Sequence, residues 1–585
     1  MKKTLLLASA AALSMSAFAA GSYKVYPDFV IQGLSEDGTY AVSTNPYTSV
    51  LAIFNTVTEK AEDTQVFIGD GYETEYTAGL GRCLSRDGVL VGSTTFMGTA
   101  SYLKDGEWHH LSVPNPEHTN LAQGITPDGK VICGIIGNDS FSIDATNIMS
   151  LPAVWYLQDD GTYGEPVVLP YPEKDFTGRV PQSISAISIS DDGKTVVGQV
   201  RDYRGAMEQP IVYTCNDKGE WSYTLLCPEL INPGNVEFPE DPGESPRHED
   251  FASEEEIAAY EEAKANWDGK DWSNYPYIDD FMSEEELAAF NEAHAAWWKK
   301  YEAFDNAYYE ATAEGAAFEY NNVFLSPDGK YYVTSTVAPG GIWMSNKKDR
   351  KASPKDFDDF GEEEAAQATI YVIDIAAGTY KTYTSEKGLT ASCVAADGTV
   401  LGTEDISGAR HAVIIAPGAE DYQYLEDYFA VKDPAAAAWM DENCRHDIES
   451  MDWNTGEMVI EQNVMVSGTP YATPDLKKIG TFVENSWDYE SPDAALYYTY
   501  LFTPADTPTT AVEDITDGTF AVKALAGGVI EVSGEAAHVT VYTLGGSKVY
   551  EGNAEGSVAT GLAQGCYIVN ATSKSGKTAV VKAAF

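Results

Sequence analysis

The stretch from Ser188 to Gln199 reads SISDDGKTVVGQ, two short β-rich runs on either side of Asp192-Gly193. Asp-Gly between apolar runs is a strong hairpin signal, because the reversal needs a positive φ that glycine reaches without steric cost. The Ser190 hydroxyl and the Asp192 carboxylate are placed to bond backbone amides of the turn. Gly198, near the end of the second run, lets another backbone approach closely.

The phrase recurs along the chain: GLSEDGTYAVST from Gly33, CLSRDGVLVGST from Cys83, GITPDGKVICGI from Gly124, FLSPDGKYYVTS from Phe324 and VAADGTVLGTE from Val394. The turn pairs are Asp37-Gly38, Asp87-Gly88, Asp128-Gly129, Asp192-Gly193, Asp328-Gly329 and Asp397-Gly398. A weaker seventh copy, YATPDLKKIGTF from Tyr471, carries Asp475. Most copies are followed by a second strand pair, such as ASYLKDGEWHHLSV from Ala100 or PIVYTCNDKGEWSYTLL from Pro210. Each unit is therefore two hairpins. Four-stranded units repeating every 40 or so residues mark a β-propeller. The expected fold is mainly β, a seven-bladed propeller over residues 20–504, with AALYYTYLFTPA from Ala494 closing it.

SISDDGKTVVGQV, together with strands such as PAVW from Pro152, resembles the HAF-type repeats of secreted bacterial propellers, over roughly Tyr23 to Pro504. That resemblance implies a scaffold and brings no catalytic residues with it.

The ends of the chain speak of export. MKKTLLLASAAALSMSAFAAGS has a basic start at Lys2 and Lys3, an apolar run from Leu5 to Met15 and a small-x-small site at Ala17-Phe18-Ala19. This is the pattern of a signal peptide over 1–19, and the run is too short to span a bilayer. No later stretch reaches membrane-span length. A Pro/Thr-rich linker, 505–512, leads to an all-β tail over 513–585, expected as a β-sandwich. Val539, Val541, Tyr542, Leu544, Gly545, Lys548 and Val549, then Leu562, Gly565, Tyr567, Ile568 and Val569, then Lys577, Val580 and Lys582, resemble the type A C-terminal sorting domain of the type IX secretion system of Bacteroidetes. The chain ends Ala583-Ala584-Phe585 where that family ends in a basic residue. The resemblance implies a secreted or cell-surface protein that meets the sorting machinery, periplasmic if the tail is inactive.

The formal net charge is −53, which repels nucleic acid and anionic lipid. The seven cysteines lack metal-ligand spacing, and most of them read as small buried hydrophobes.

Between Asp192 and Asp328 the repeat is interrupted. Residues 236–320 hold 24 Asp and Glu against 5 Lys and Arg, and they contain a duplication: DFASEEEIAAYEEAKANW from Asp250 and DFMSEEELAAFNEAHAAW from Asp280. Ser253 with Glu256, and Ser283 with Glu286, form capping boxes, and an acidic first turn suits the helix dipole. One copy carries the apolar stripe Ile257, Tyr260, Trp267; the other carries Leu287, Phe290, His294, Trp297, Tyr301, Phe304, Tyr308. The expectation is an acidic helical hairpin, its two helices packed on each other and independent of the propeller. Trp272, Tyr275 and Tyr277 in the link are the expected ligand contacts, able to stack on a sugar or grip a protein.

No nucleophile elbow, zinc-protease, phosphate-loop or dinucleotide motif is present in the sequence. His109-His110, Arg201 and Arg204 are the suggestive polar clusters, each expected on loop surface. We therefore expect no catalytic residues, no cofactor and no metal site. The expected function is an exported binding or cell-surface interaction protein with a protein or glycan ligand. The alternative is a carbohydrate-active or peptidase propeller enzyme with an acidic cleft.

Overall fold

The computed structural model describes residues 22–27, 30–44, 51–63, 66–68, 72–74, 76–94, 98–138, 148–205, 207–267, 270, 274–336, 368–406, 409–452, 457–484, 497–503, 521–525, 529–543, 548–562, 566–575 and 578–584. The chain divides into two compact units, one over Ser22–Pro504 and the other containing Ala505–Phe585. The leader 1–19 and the linker 505–512 lie outside the described residues.

The larger unit is mainly β. Strand β1 (Ser22–Pro27) precedes the sheet β2 (Val30–Leu34), β3 (Tyr40–Thr44), β4 (Leu51–Asn55), β5 (Lys60–Asp63). A small hairpin, β6 (Val66–Ile68) and β7 (Tyr72–Thr74), leads to β8 (Tyr76–Ala78), β9 (Leu90–Thr94), β10 (Ala100–Lys104), β11 (Glu107–His110). Next come β12 (Leu121–Ile125), β13 (Val131–Gly137), β14 (Ser150–Tyr156) and β15 (Val167–Val168). They are followed by β16 (Ser183–Ile189), β17 (Thr195–Arg201), β18 (Glu208–Cys215) and β19 (Trp221–Leu225). Helices α1 (Glu254–Asn266) and α2 (Glu284–Thr312) then intervene before β20 (Phe318–Leu325), β21 (Tyr331–Thr336), β22 (Ile370–Asp374), β23 (Thr379–Tyr383). The sheet β24 (Leu389–Val394), β25 (Val400–Ile406), β26 (Ala409–Ile415), β27 (Gln423–Tyr424) follows. Helices α3 (Leu425–Lys432) and α4 (Pro434–Asn443) and the hairpin β28 (Arg445–Asp452) and β29 (Glu457–Met465) lead to β30 (Tyr471–Ala472), β31 (Ile479–Glu484), β32 (Tyr497–Thr503).

Apart from the two small hairpins, these strands form antiparallel meanders whose first strand leads to one of the repeated turns, and the third and fourth meanders are joined into one sheet by a parallel contact of β14 with β16 at Ser150 and Ser183. In the last sheet β1 supplies the outer strand, with Ser22 opposite Thr503 and Pro27 opposite Tyr498. The expected closing strand from Ala494 is thus itself capped by the N-terminal strand. Each sheet packs on the next, and β30 and β31 pack on β2. This is the strand order of a β-propeller. No helix among the described residues is long and apolar enough to cross a membrane.

The repeated turn explains itself in atoms. Gly38, Gly88, Gly129, Gly193, Gly329 and Gly398 have φ between 65° and 89°. The Gly193 amide donates to the Ser190 carbonyl at 3.0 Å, and the Ser190 amide to the Thr195 carbonyl at 2.9 Å. The turn is therefore the longer form with a left-handed glycine after it, rather than a two-residue hairpin. Asp192 Oδ1 accepts from Ser190 Oγ at 2.6 Å and from the Lys194 amide at 3.0 Å. In the seventh copy Leu476 takes the glycine's place at φ 57°. Turns of neighbouring sheets bond to one another: the amides of Arg86, Asp191 and Ala396 donate to the carbonyls of Pro127, Pro327 and Pro474 at 2.9, 2.9 and 2.8 Å. Proline has a carbonyl but no N–H, so it sits on the accepting side each time. Gly198 answers the need for close approach, since a Cβ there would lie 1.7 Å from the Ser185 carbonyl oxygen. Cys83, Cys133, Cys227 and Cys444 are buried, as their apolar reading expects, and burial pushes the Cys83 and Cys133 thiols up to about 12.

The two acidic helices start as the sequence dictates. Ser253 and Ser283 cap them, with Glu256 and Glu286 completing both capping boxes. Their expected packing on each other along the apolar stripes is corrected. α1 buries none of its residues and lies against the single turn at Ile278–Asp280. The copies meet instead through exchanged rings: Phe251 against Phe290 at 5.8 Å, and Phe281 against Tyr260 at 6.2 Å. Beyond the duplicated stretch α2 leaves its twin. Phe304 and Tyr308 are buried in one core cluster with Tyr203, Ile231 and Phe318. The Tyr308 hydroxyl donates to Asp202, and Arg204 pairs with Asp305. The insertion is therefore fastened to the sheets on either side. The expected range 236–320 also runs into β20, which begins at Phe318.

The C-terminal unit holds β33 (Ala521–Leu525), β34 (Val529–Thr543), β35 (Lys548–Ala559), β36 (Cys566–Ser573) and β37 (Thr578–Ala584) in one antiparallel sheet. The long β34 bonds β33 and β35 along its first part and β35 and β36 along its second. The sheet curls so that β33 lies against β37, around a core of Ile530, Val532, Val539, Val541 and Val569.

Candidate binding site

The first strands β2, β12, β16 and β24 share a defect. Each skips one residue of its ladder: Gln32, Gln123, Ile187 and Ser392. Such bulges bend a strand and re-aim a side chain. In β20 the defect is larger. Phe318 pairs with Thr336 and Val323 with Thr334, so Glu319, Tyr320, Asn321 and Asn322 stand opposite Ser335 alone. These four residues are extruded from the sheet.

The extruded segment is held from the sheet before it. Gln199 on β17 donates from Nε2 to the Glu319 carbonyl and accepts at Oε1 from the Asn321 amide, both at 2.8 Å. Arg201, two residues on, lies 4.0 Å over the Tyr320 ring and pairs with the buried Glu208 at 2.6 Å. Asn321 takes a left-handed φ of 65°, a conformation that asparagine tolerates better than most residues.

Glu319, Asn321 and Asn322 line a cavity of about 650 Å³ where the first strands converge, at the end away from the repeated turns. Arg410 and Asp405, at the β25–β26 reversal, face the same space, with Thr469 and Tyr471 beside them and Leu80 and Phe324 as apolar wall. Arg410 Nη1 donates to Thr469 Oγ1 at 2.9 Å. Asn322 Nδ2 donates to the Ala391 carbonyl at 3.1 Å, which fixes the orientation of its carboxamide. The Oδ1 atoms of both Asn321 and Asn322 are buried without a partner. A buried acceptor left unpaired costs about 1–3 kcal/mol, a cost that the extruded segment carries at both residues. Burial raises the Glu319 carboxyl above its ordinary range, and Arg410 partly offsets this.

Toward the turns lies a second, smaller cavity of about 90 Å³. Gln32, Leu80, Phe324, Ser392 and Tyr471 border both cavities. Arg82, Pro327 and Pro474 line the smaller cavity. Arg82 there pairs with Asp191 at 2.5 Å, and burial raises the Asp191 carboxyl against the pull of Arg82.

Of the sequence-expected contacts, Trp272 lies outside the described residues. Tyr275 and Tyr277 form an edge-to-face run with Trp267, at 5.1 and 5.2 Å, and neither lines the cavity. His294 is half-buried and stacked near Phe290 and Trp298 on α2. Arg201 and Arg204, expected on loop surface, instead serve the extruded segment and the α2 anchor. His109 stacks on Tyr102, and His110 Nδ1 lies 3.0 Å from Ser101 Oγ on the outer strand β11. No group of metal-ligating side chains is assembled among the described residues. The residues that the sequence reading missed are Glu319 to Asn322, Asp405 and Arg410. A signal existed for the first four: FEYNNVFLSPDG carries polar EYNN where GITPDG and its relatives have a short apolar lead-in.

No protein-family model matches the chain, and no curated protein matches it in sequence. Among solved structures, the chain aligns with hydrazine synthase of Kuenenia stuttgartiensis at a TM-score of 0.35 and 11% identity, covering 80% of this chain and 95% of that one. It aligns with streptogramin B lyase at 0.32 and 9%, covering 83% and 99%. The Swd1 β-propeller domain of Myceliophteria thermophila gives 0.36 and 7%, covering 83% and 99%.

Proposed function

We propose that this chain is an exported binding protein built on a seven-bladed propeller, and that its ligand, a glycan or a protein segment, seats in the cavity around Glu319 to Asn322. The blade count follows the first strands β2, β8, β12, β16, β20, β24 and β30. The leader 1–19 and the sorting-like tail 513–585 support passage out of the cytoplasm to the surface or the medium. The acidic helical insertion leads to the site: α2 ends at Thr312, and β20, which lines the cavity, begins at Phe318.

The observation that carries the binding reading is a cavity of about 650 Å³ that Glu319, Asp405 and Arg410 line together. Small-molecule pockets have volumes of roughly 300–1,000 Å³. A second reading, a carbohydrate-active enzyme, is favoured by two carboxyl groups, Glu319 and Asp405, facing the same space. Glycan hydrolysis needs such a pair, one of them held protonated.

The test is a glycan array and calorimetry on the mature chain, with Arg410→Ala alongside. Binding reduced at least tenfold by Arg410→Ala supports the cavity as the site. Equal binding by the variant would remove it. Turnover of a bound glycan, abolished by Glu319→Gln with binding retained, would decide for the enzyme.

A further inference from the structure

We infer that the aromatic face of α1 is a docking surface for a basic, amphipathic segment of another protein. This surface is separate from the cavity, which none of Ile257, Tyr260, Trp267, Tyr275 and Tyr277 lines. Two observations carry the inference: the unequal fates of the twin helices, and the charge around the uncovered one.

Both copies of the duplication are coded with an apolar stripe, but only one stripe is covered. In α2 Phe290 is buried, and the stripe continues into Phe304 and Tyr308, 1% and 0% exposed. Tyr260, the twin of Phe290, stays half-buried, as does Ile257, and α1 buries none of its 13 residues. A helix of this length is marginal in water and takes most of its stability from packing an amphipathic face. The link between the helices extends that face. Trp267, Tyr275 and Tyr277 form their edge-to-face run there, and Tyr277 is 59% exposed. Contiguous exposed apolar and aromatic surface of this kind marks protein contacts.

The charge of the partner follows from the surroundings. Residues 236–320 carry a net charge of −19, from 24 Asp and Glu against 5 Lys and Arg. The carboxylates reach the aromatic face itself. Asp279 and Asp280, both exposed, follow Tyr277, and Asp280 accepts from the Tyr277 amide at 3.2 Å. The face already holds one cation: Lys264 Nζ lies 5.3 Å from the Tyr260 ring centroid and 3.7 Å from Glu261. A ring face beside a carboxylate attracts ammonium and guanidinium groups. Tyr277 with Asp280 offers a partner's lysine or arginine the same pairing. A second copy of this chain would instead set like charge against like charge, which disfavours association.

The experiment measures fluorescence anisotropy of a labelled, helix-forming peptide of leucine and lysine on the full mature chain. Two control peptides replace its lysines by glutamate or its leucines by serine. The expected result is that the leucine–lysine peptide binds, that the glutamate peptide does not, and that the serine–lysine peptide binds at least tenfold more weakly. Tyr260→Ser combined with Tyr277→Ser should weaken the leucine–lysine peptide at least tenfold with an unchanged melting temperature, while Arg410→Ala in the cavity leaves it unchanged. Equal binding by the double tyrosine variant would overturn the surface, since the peptide would then be held by the overall negative charge or elsewhere. Equal binding of the serine–lysine peptide would overturn the amphipathic requirement. Binding of neither lysine peptide would overturn the basic partner. Sedimentation of the chain alone covers the remaining occupant: a dimer that the double tyrosine variant abolishes would make the partner a second copy and overturn the basic class. Should the double variant melt early, Tyr277→Ser alone is the comparison, with an expected loss of at least threefold, and no loss would overturn the surface.

Discussion

Strands β12 and β20 hold the same place in two copies of one repeat, yet they treat polar groups in opposite ways. β12 skips one residue, and that residue serves the scaffold: Gln123 is buried and its Oε1 accepts from the Leu80 amide at 2.8 Å. β20 skips four, and two of them leave buried oxygens unpaired. Both strands then enter the same turn, Thr126-Pro127-Asp128-Gly129 and Ser326-Pro327-Asp328-Gly329. The bulge of β12 is satisfied within the protein, whereas the extruded segment of β20 carries two unpaired oxygens and lines the cavity.

The comparison breaks most severely if the anchor of β20 is removed. Phe304, 1% exposed, packs against Tyr203 and Phe238 just before the chain enters β20. Phe304→Ala is expected to lower the unfolding free energy by about 3–5 kcal/mol, measured by denaturant titration. Deleting the insertion as a whole should likewise fail to give a folded protein, whereas losing α1 alone should be tolerated. An unaffected Phe304→Ala would mean that α2 only rests on the sheets.

The shared turn gives the next effect. Gly129 and Gly329 have φ of 69° and 75°, and a Cβ at Gly329 would also meet Thr195 Oγ1 at 3.1 Å. Valine at either position should cost about 1–3 kcal/mol, with Gly329 the worse of the two. Gly219→Ala, at a turn where nothing lies within 4 Å, isolates the backbone part of that cost.

A sharper contrast comes from the carboxamides. Gln123→Leu leaves the Leu80 amide without its acceptor and should destabilise by about 1–3 kcal/mol. Asn322→Leu removes an unpaired acceptor along with one bond, and its cost should be near zero. Thermal melts of the two variants side by side check this, and equal losses would erase the distinction between the strands.

The mildest effect is in pH dependence. Burial would raise Asp37, Asp128, Asp328 and Asp475, but bonds from the flanking hydroxyls, amides and, at three of them, lysines hold these carboxyls below their ordinary range. Their stabilisation is present above the unfolded value near pH 4 and fades as pH falls through the folded values. Glu319 is raised, so its sign is reversed: the folded state is favoured at low pH and loses ground as pH rises through the folded value. Glu319→Gln should therefore gain stability relative to the parent at neutral pH, with the gain vanishing below about pH 4. A gain that is flat across pH would mean that Glu319 stays in its ordinary range.

The site was partly legible in advance. The capping serines, the turn glycines and the close-approach glycine Gly198 were readable because each obeys a rule spanning a few residues. The polar run EYNN before VFLSPDG was visible too, but nothing local says that a strand will extrude it. Arg410 and Asp405 gave no signal, since they lie some ninety residues beyond Glu319 and join it only because two first strands converge.

The sequence by itself determined the repeated turn, the four-stranded units, the mainly β fold and the starts of both acidic helices, because these depend on φ preferences, alternation and caps. Only the tertiary structure decided that β1 caps the last sheet, that α2 abandons its twin for the core, and that Asn321 and Asn322 line one cavity with Arg410. The duplicated helices make the reason plain. Their first turns are coded identically, and both form. Their fates differ because Phe304 and Tyr308 find a buried place between neighbouring sheets, and burial is a property of partners that no local stretch contains.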